Sequence, residues 1–208
     1  VFVRFLLLSA LSLVVLFVRG RRGGKAWRIS RADVPLLIVS GLSGYGFYQL
    51  FYMIGLAHTT VFASALFIST VPVWSLIILA VLKIERVHPI QWAGIALSLV
   101  GLVGFLLAAT GRSAEVPHTQ HLTPSDPLLG NLLSLAAGAL FALYGVTNKR
   151  LTMRYSPPEL MCYTLLIGTL ALAPFGVPAL LSQLWQHVTW RTLLIVPYSV
   201  LFPIYLTN

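Results

Sequence analysis

Charge is what this sequence has least of. Asp and Glu together number 5 in 208 residues, and charged residues make up 9% of the chain against 58% hydrophobic ones. A soluble globule of this length needs far more polar surface to cover itself, so with a mean hydropathy of +0.88 the solvent implied is lipid. Cysteine is nearly missing as well. Cys162 stands alone, which excludes an internal disulfide and a cysteine-built metal site. No Asp, Glu or Lys lies deep within a hydrophobic run, so the usual proton or cation relay of an ion-coupled carrier has no visible residue. Nucleophile elbows, phosphate loops and metalloprotease helices are absent from the sequence. The histidines, at 58, 88, 118, 121 and 187, stand at the ends of apolar runs or in polar stretches. An intramembrane Ser–His hydrolase therefore has no histidine at depth.

What is present is length of apolar chain. Runs free of Asp, Glu, Lys and Arg cover 5–18, 34–82, 87–111, 127–148, 160–190 and 192–208, most of them reaching the roughly 20 residues that cross a bilayer. The run 34–82 is too long for one crossing. It divides at Gly55-Leu56-Ala57-His58-Thr59-Thr60, where glycine, histidine and two threonines form a turn with a helix N-cap. Each half is then about 24 residues, or roughly 36 Å of helix, enough to span with some tilt. The expectation is an all-α integral membrane protein with seven transmembrane helices in view, multi-pass in the inner (plasma) membrane. Its net charge of +9 has a topological origin. Arg19, Arg21, Arg22, Lys25, Arg28 and Arg31 follow the first span, Lys83 and Arg86 the third, and Lys149, Arg150 and Arg154 the fifth. The opposite loops carry only Arg112 and Arg191. The positive-inside rule puts the basic loops in the cytoplasm and leaves no continuous patch for nucleic acid.

The sequence opens at Val1-Phe2-Val3-Arg4-Phe5 without Met, already inside an apolar run, and closes at Ile204-Tyr205-Leu206-Thr207-Asn208 without a charged flank. Both ends are expected to be cut. The stretch 112–126 is polar, carries two prolines and is expected to be an external linker. Sliding the chain by 157 positions lays Leu36-Leu37-Ile38-Val39 on Leu193-Leu194-Ile195-Val196 and Tyr48 on Tyr205. That register implies an internal repeat: 1–111 is a first repeat lacking its first helix, and 127–208 is a second lacking its last two. The whole is then a ten-helix protein of about 300 residues in two five-helix halves. An odd helix count per half inverts the second half relative to the first.

The same residues resemble a known family. Gly55–Thr60 resembles the short turn between the third and fourth helices of EamA-type transporters of the drug/metabolite superfamily. The run Ala63-Ser64-Ala65-Leu66-Phe67-Ile68-Ser69-Thr70-Val71-Pro72-Val73 resembles the fourth helix, with its mid-helix proline. Lys83-Ile84-Glu85-Arg86 is similar to the cytoplasmic Glu-Arg corner, and Gln91-Trp92-Ala93-Gly94 with Gly101 to the glycine-bearing fifth helix. Leu129-Gly130 through Lys149-Arg150-Leu151 resembles the opening helix of the second repeat. The resemblance covers nearly the whole chain in order and implies ten helices with both termini cytoplasmic, the visible ones being the second to the eighth. It also implies export of amino acids or related compounds by alternating access. Two other readings stay open: an importer of sugar- or nucleotide-sugar-like solutes, and a non-transporting membrane protein, either an intramembrane enzyme or an assembly subunit.

Candidate cargo-binding residues come from polar and aromatic groups within the spans. Tyr45, Tyr48 and Tyr52 recur at i, i+3 and i+7, with Gln49 beside them, so one helical face offers three hydroxyls and an amide. In lipid these groups need partners or a wet cavity. The resemblance puts Trp74, Tyr144, Asn148 and Tyr205 on helices around the same cavity. Arg4 is the one charged side chain near a span and a further candidate. Gly94, Ser98 and Gly101 share one face, as do Ser134, Gly138 and Ala142, and both faces are expected to pack against helices. Pro72, Pro197 and Pro203 are expected to break or bend their spans. His118 and His121 lie in the polar linker with too few ligands for a metal. The partners expected are a small-molecule substrate, the bilayer and a second copy of the chain, with no catalytic residue, metal or cofactor.

Overall fold

A computed structural model describes residues 2–21, 29–84, 88–111 and 126–182. Among them six helical segments follow one another without a strand: α1 Phe2–Arg21, α2 Val34–His58, α3 Val61–Val81, α4 Pro89–Gly111, α5 Pro127–Thr152 and α6 Pro157–Leu181. Of these, α2, α3, α5 and α6 are long and apolar enough to cross a membrane, while the apolar stretches Phe2–Val18 and Pro89–Gly101 are shorter. The expected span 192–208, most of the linker, Pro197, Pro203 and Tyr205 lie outside the described residues.

Local chemistry sets where these helices start and stop. Thr60 Oγ1 accepts the Ala63 N–H at 3.1 Å and opens α3. Asp126 Oδ1 accepts the Leu129 N–H at 3.2 Å, and Pro127 fills the first position of α5, where no intrahelical N–H is needed. At α6, Glu159 Oε2 reaches back to the Ser156 N–H at 3.2 Å, the acidic half of a capping box. α3 ends with Lys83 at φ 50°, a left-handed turn that lets the Ile84 N–H reach the Leu79 carbonyl at 3.1 Å.

Two helices are interrupted. In α2, Val34–Gly41 and Tyr48–His58 flank a π-helical segment, Leu42–Phe47. In α3, Val61–Ile68 and Val71–Val81 flank a turn at Ser69-Thr70. Of the break or bend expected at Pro72, the structure has the break: Pro72 stands in the first turn of the second piece. Gly55, expected in a turn, is helical and buried; Thr59-Thr60 makes the turn instead.

The chain divides into two compact units, one formed by the stretches up to Phe47 and from Thr147 onward, the other by Tyr48–Val146. In the first unit, α1 and the first part of α2 pack on α6. Ser9 and Thr169 share a buried hydrogen bond of 2.8 Å between α1 and α6. Glycine permits the close approach of α2. A Cβ on Gly168 would collide with Tyr45 Cβ, and one on Gly41 would lie 2.7 Å from Ile167 Cβ and 2.9 Å from the Thr164 carbonyl oxygen. Toward the end of this unit Leu37, Leu151 and Leu160 form a small buried cluster, with Tyr155 packed against it. Beyond it, the Asp33 carboxylate is held by Tyr155 and Arg154. The Tyr155 hydroxyl, then the Arg154 guanidinium, keeps that carboxyl below the ordinary carboxylate range against the opposing effect of burial.

In the second unit a stripe on α5 makes the contacts. Gly130, Ser134 and Gly138 recur at four-residue spacing. A Cβ on Gly130 would lie 2.8 Å from the His58 and Thr59 backbone, one on Gly55 2.8 Å from Ser134 Oγ, and one on Gly138 3.3 Å from the Phe67 carbonyl oxygen. Ser64 and Ser134 share a buried hydrogen bond of 2.9 Å, and Thr59 Oγ1 donates to Asn131 Oδ1 at 2.7 Å. The expected packing face of Ser134, Gly138 and Ala142 is thus buried. The other expected face behaves differently. Among the described residues a Cβ at Gly94 or Gly101 would meet nothing within 4 Å, and the Ser98 hydroxyl bonds the Gly94 carbonyl of its own helix at 2.9 Å. Small residues let helices approach but do not by themselves attract a neighbour.

Across both units the usual distribution is inverted. Ser40, Ser64, Ser134 and Thr164 are fully buried, while Leu97 and Leu170 are 75% and 71% exposed. That pattern suits a lipid solvent, where apolar surface needs no hiding.

The Gly168 contact gives a direct check. Gly168→Ala should destabilise the protein by about 1–3 kcal/mol by overpacking. Gly145→Ala, whose Cβ meets nothing within 4 Å, should be neutral or stabilising by up to about 1 kcal/mol. Thermal unfolding in detergent measures both, and equal effects would contradict the close approach.

Candidate functional site

The second part of α2 and the facing stretch of α5 each carry aromatic rings one turn apart. On α2, Tyr48 and Tyr52 stack with centroids 6.0 Å apart and planes within 9°. On α5, Phe141 and Tyr144 lie 5.7 Å apart at 37°. Phe141 also meets Tyr48 at 4.9 Å and 42°, joining the pairs into a four-ring ladder within the second unit. The tyrosines are half-buried and Phe141 is exposed. Gln49, next to Tyr48, and Trp74 on α3 are half-buried. The ladder has ring faces and phenolic hydroxyls but no charged side chain. Such a surface contacts apolar parts of a solute through the rings and orients its polar parts through hydroxyls.

Tyr45 has a different setting. It lies within the π segment, whose wider turn adds a residue to the 3.6-residue period that put it on one face with Tyr48 and Tyr52. Its ring meets Phe5 of α1 edge-on at 6.0 Å and 72°. Arg4 is exposed in the first turn of α1. Asn148 belongs to the first unit, and its Oδ1 is buried with no hydrogen-bond partner among the described residues, as is the Ser40 hydroxyl oxygen. Among the described residues no three His, Cys, Asp or Glu side chains come together. Phe141 is the ring that reading for polar aromatics passes over. Its signal was spacing, since Phe141, Tyr144 and Asn148 recur at i, i+3 and i+7.

Residues 1–107, half of the chain, match the family model described as the EamA-like transporter family. The chain belongs to the EamA-like transporter family. As a member it is a multi-pass membrane protein, in keeping with its four span-length helices. It is 30% identical over 148 residues to a probable terminal-alkyne amino-acid exporter of Streptantibioticus cattleyicolor, covering 71% of this chain and 45% of the relative. It is 30% identical over 197 residues to an uncharacterized transporter of Archaeoglobus fulgidus, covering 91% and 60%. It is 29% identical over 192 residues to a probable amino-acid metabolite efflux pump of Salmonella typhimurium, covering 86% and 57%. The chain spans about half the length of the curated relatives it matches. No solved structure gives a significant match.

An unpaired buried acceptor lowers stability. Asn148→Leu should therefore leave the EamA-like protein as stable as the parent or more stable by about 1 kcal/mol. Thermal unfolding decides it; a loss of 2 kcal/mol or more, on the order of a broken buried hydrogen bond, would show that the amide has a structural partner.

Proposed function

We propose that the protein exports a small organic solute, an amino acid or related amphipathic metabolite, by alternating access between two inverted halves. The first half comprises 1–111 and the second 127–208, joined by the external linker 112–126. Seven crossings of this chain then belong to a ten-helix carrier. The four-ring ladder is the observation that carries this reading, because Tyr48 and Tyr52 come from the first half and Phe141 and Tyr144 from the second. A cargo touching both pairs senses the two halves at once, which alternating access requires. Gln49 and Trp74, in the same unit as the ladder, supply hydrogen-bonding groups in this proposal.

The exporter and efflux-pump names of two relatives support the direction and the class of cargo. A nucleotide-sugar would need cations opposite its phosphates, and the ladder has none. Family membership also speaks for carriage rather than enzymatic turnover.

Uptake and efflux in membrane vesicles, across a panel of amino acids with and without a pH gradient, tests this. The full ten-helix carrier, as parent, should move at least one aromatic or branched amino acid. Tyr48→Ala and Phe141→Ala should each lower kcat/KM about tenfold or more, the effect of losing about 1.4 kcal/mol of cargo contact. A parent that moves nothing, or variants with unchanged transport, would overturn the reading.

A further inference from the structure

Asp33 stands at the N-cap of α2, where an aspartate ordinarily turns its carboxylate onto the first N–H groups of its own helix. Here it makes no such bond, and Pro35 in the first turn offers no N–H. The carboxylate is directed across the chain instead. Arg154 Nη1 donates to Oδ1 at 2.9 Å and to Oδ2 at 3.1 Å, and the Tyr155 hydroxyl donates to Oδ2 at 2.8 Å. The same hydroxyl accepts the Ser30 N–H at 3.0 Å. One phenol thus grips both ends of the turn Ser30–Asp33, which is closed by the Asp33 N–H on the Ser30 carbonyl at 2.9 Å.

The partners are 121 and 122 residues apart, on the turn before α2 and the turn between α5 and α6. The Asp33 side chain is 11% exposed and that of Arg154 66%. A guanidinium so exposed adds little by itself, so the Tyr155 hydroxyl is the more selective element. These polar groups stand at the water edge and can rehydrate on separation, unlike groups released into hydrocarbon. Immediately inward lie Leu37, Leu151 and Leu160, and one turn further along α2 the fully buried Ser40.

We propose that Asp33, Arg154 and Tyr155 form a reversible clasp between the two halves, on the side that the charge bias assigns to the cytoplasm, which opens to admit cargo from that side. The function of the clasp rests on the transport reading above. Its closed state is the one described, and separating the turns exposes the Ser40 region to the cytoplasm.

The test uses Ser40→Cys in a Cys162→Ala background, in inside-out vesicles, with a membrane-impermeant maleimide. Asp33→Asn and Tyr155→Phe should each raise the alkylation rate about threefold to tenfold by shifting the open population, while Asp33→Glu and Arg154→Lys stay near the parent. A Ser134→Cys reporter, fully buried in the second unit, should stay unreactive throughout. The proposal is overturned if neither Asp33→Asn nor Tyr155→Phe raises the Ser40→Cys rate, if the conservative variants raise it equally, or if the Ser134→Cys rate rises in parallel, which marks general loosening. Alkylation needs no cargo. A rise at Ser40→Cys in a protein that moves no solute would retain the clasp and remove the carrier reading, whereas transport without any rise would do the reverse.

Discussion

Inside a bilayer there is no water to take up a free N–H, C=O or hydroxyl, and each such group must find its partner within the protein. The described part of the chain is organised around that constraint. Its backbone is helical, and its buried hydroxyls are largely paired across helices or to a preceding carbonyl: Ser9 with Thr169, Ser64 with Ser134, Thr164 with the Leu160 carbonyl. Glycine at 41, 168, 55 and 130 brings backbones close enough for packing contacts to hold the helices together without a hydrophobic drive. The large apolar side chains face outward because lipid accepts them. Against this background the oxygens of Asn148 and Ser40, buried with no partner among the described residues, stand out.

Much of this was legible in the sequence because lipid imposes a length rule. Runs without charge, with 34–82 divided at Gly55–Thr60, give the ends of α1 to α5 within a few residues, whereas the run 160–190 continues well past the end of α6 at Leu181; Thr60 is legible as an N-cap, and its side chain accepts the Ala63 N–H. Glycines were harder. Gly55 and Gly130 carry the same local signal as a turn glycine, and only the opposing helix shows that both are contact residues. Gly94 and Gly101 carry the signal of contact residues yet have no neighbour among the described residues.

The π segment was not legible, since nothing in Leu42–Phe47 demands an extra residue per turn. It occurs where Gly41, Gly46 and Tyr45 fit against Ile167, Gly168 and Ala171, a match between positions some 120 residues apart in sequence that no window of the chain contains. The same distance hid the bonds from Arg154 and Tyr155 to Asp33. Within the ladder, the tyrosines were found because a hydroxyl in a span needs explaining. Phe141 was not, because an apolar ring in lipid needs no explanation.

The proposed inverted arrangement requires α3 and α5 each to cross from the outside inward, with the basic loops in the cytoplasm. Single cysteines at four exposed positions, in a Cys162→Ser background, test it with an impermeant maleimide applied to intact cells. Thr60→Cys and Asp126→Cys should react from outside, and Lys83→Cys and Met153→Cys only after permeabilisation. Reaction of Thr60→Cys and Lys83→Cys from the same side, or of Asp126→Cys and Met153→Cys from the same side, would contradict the account.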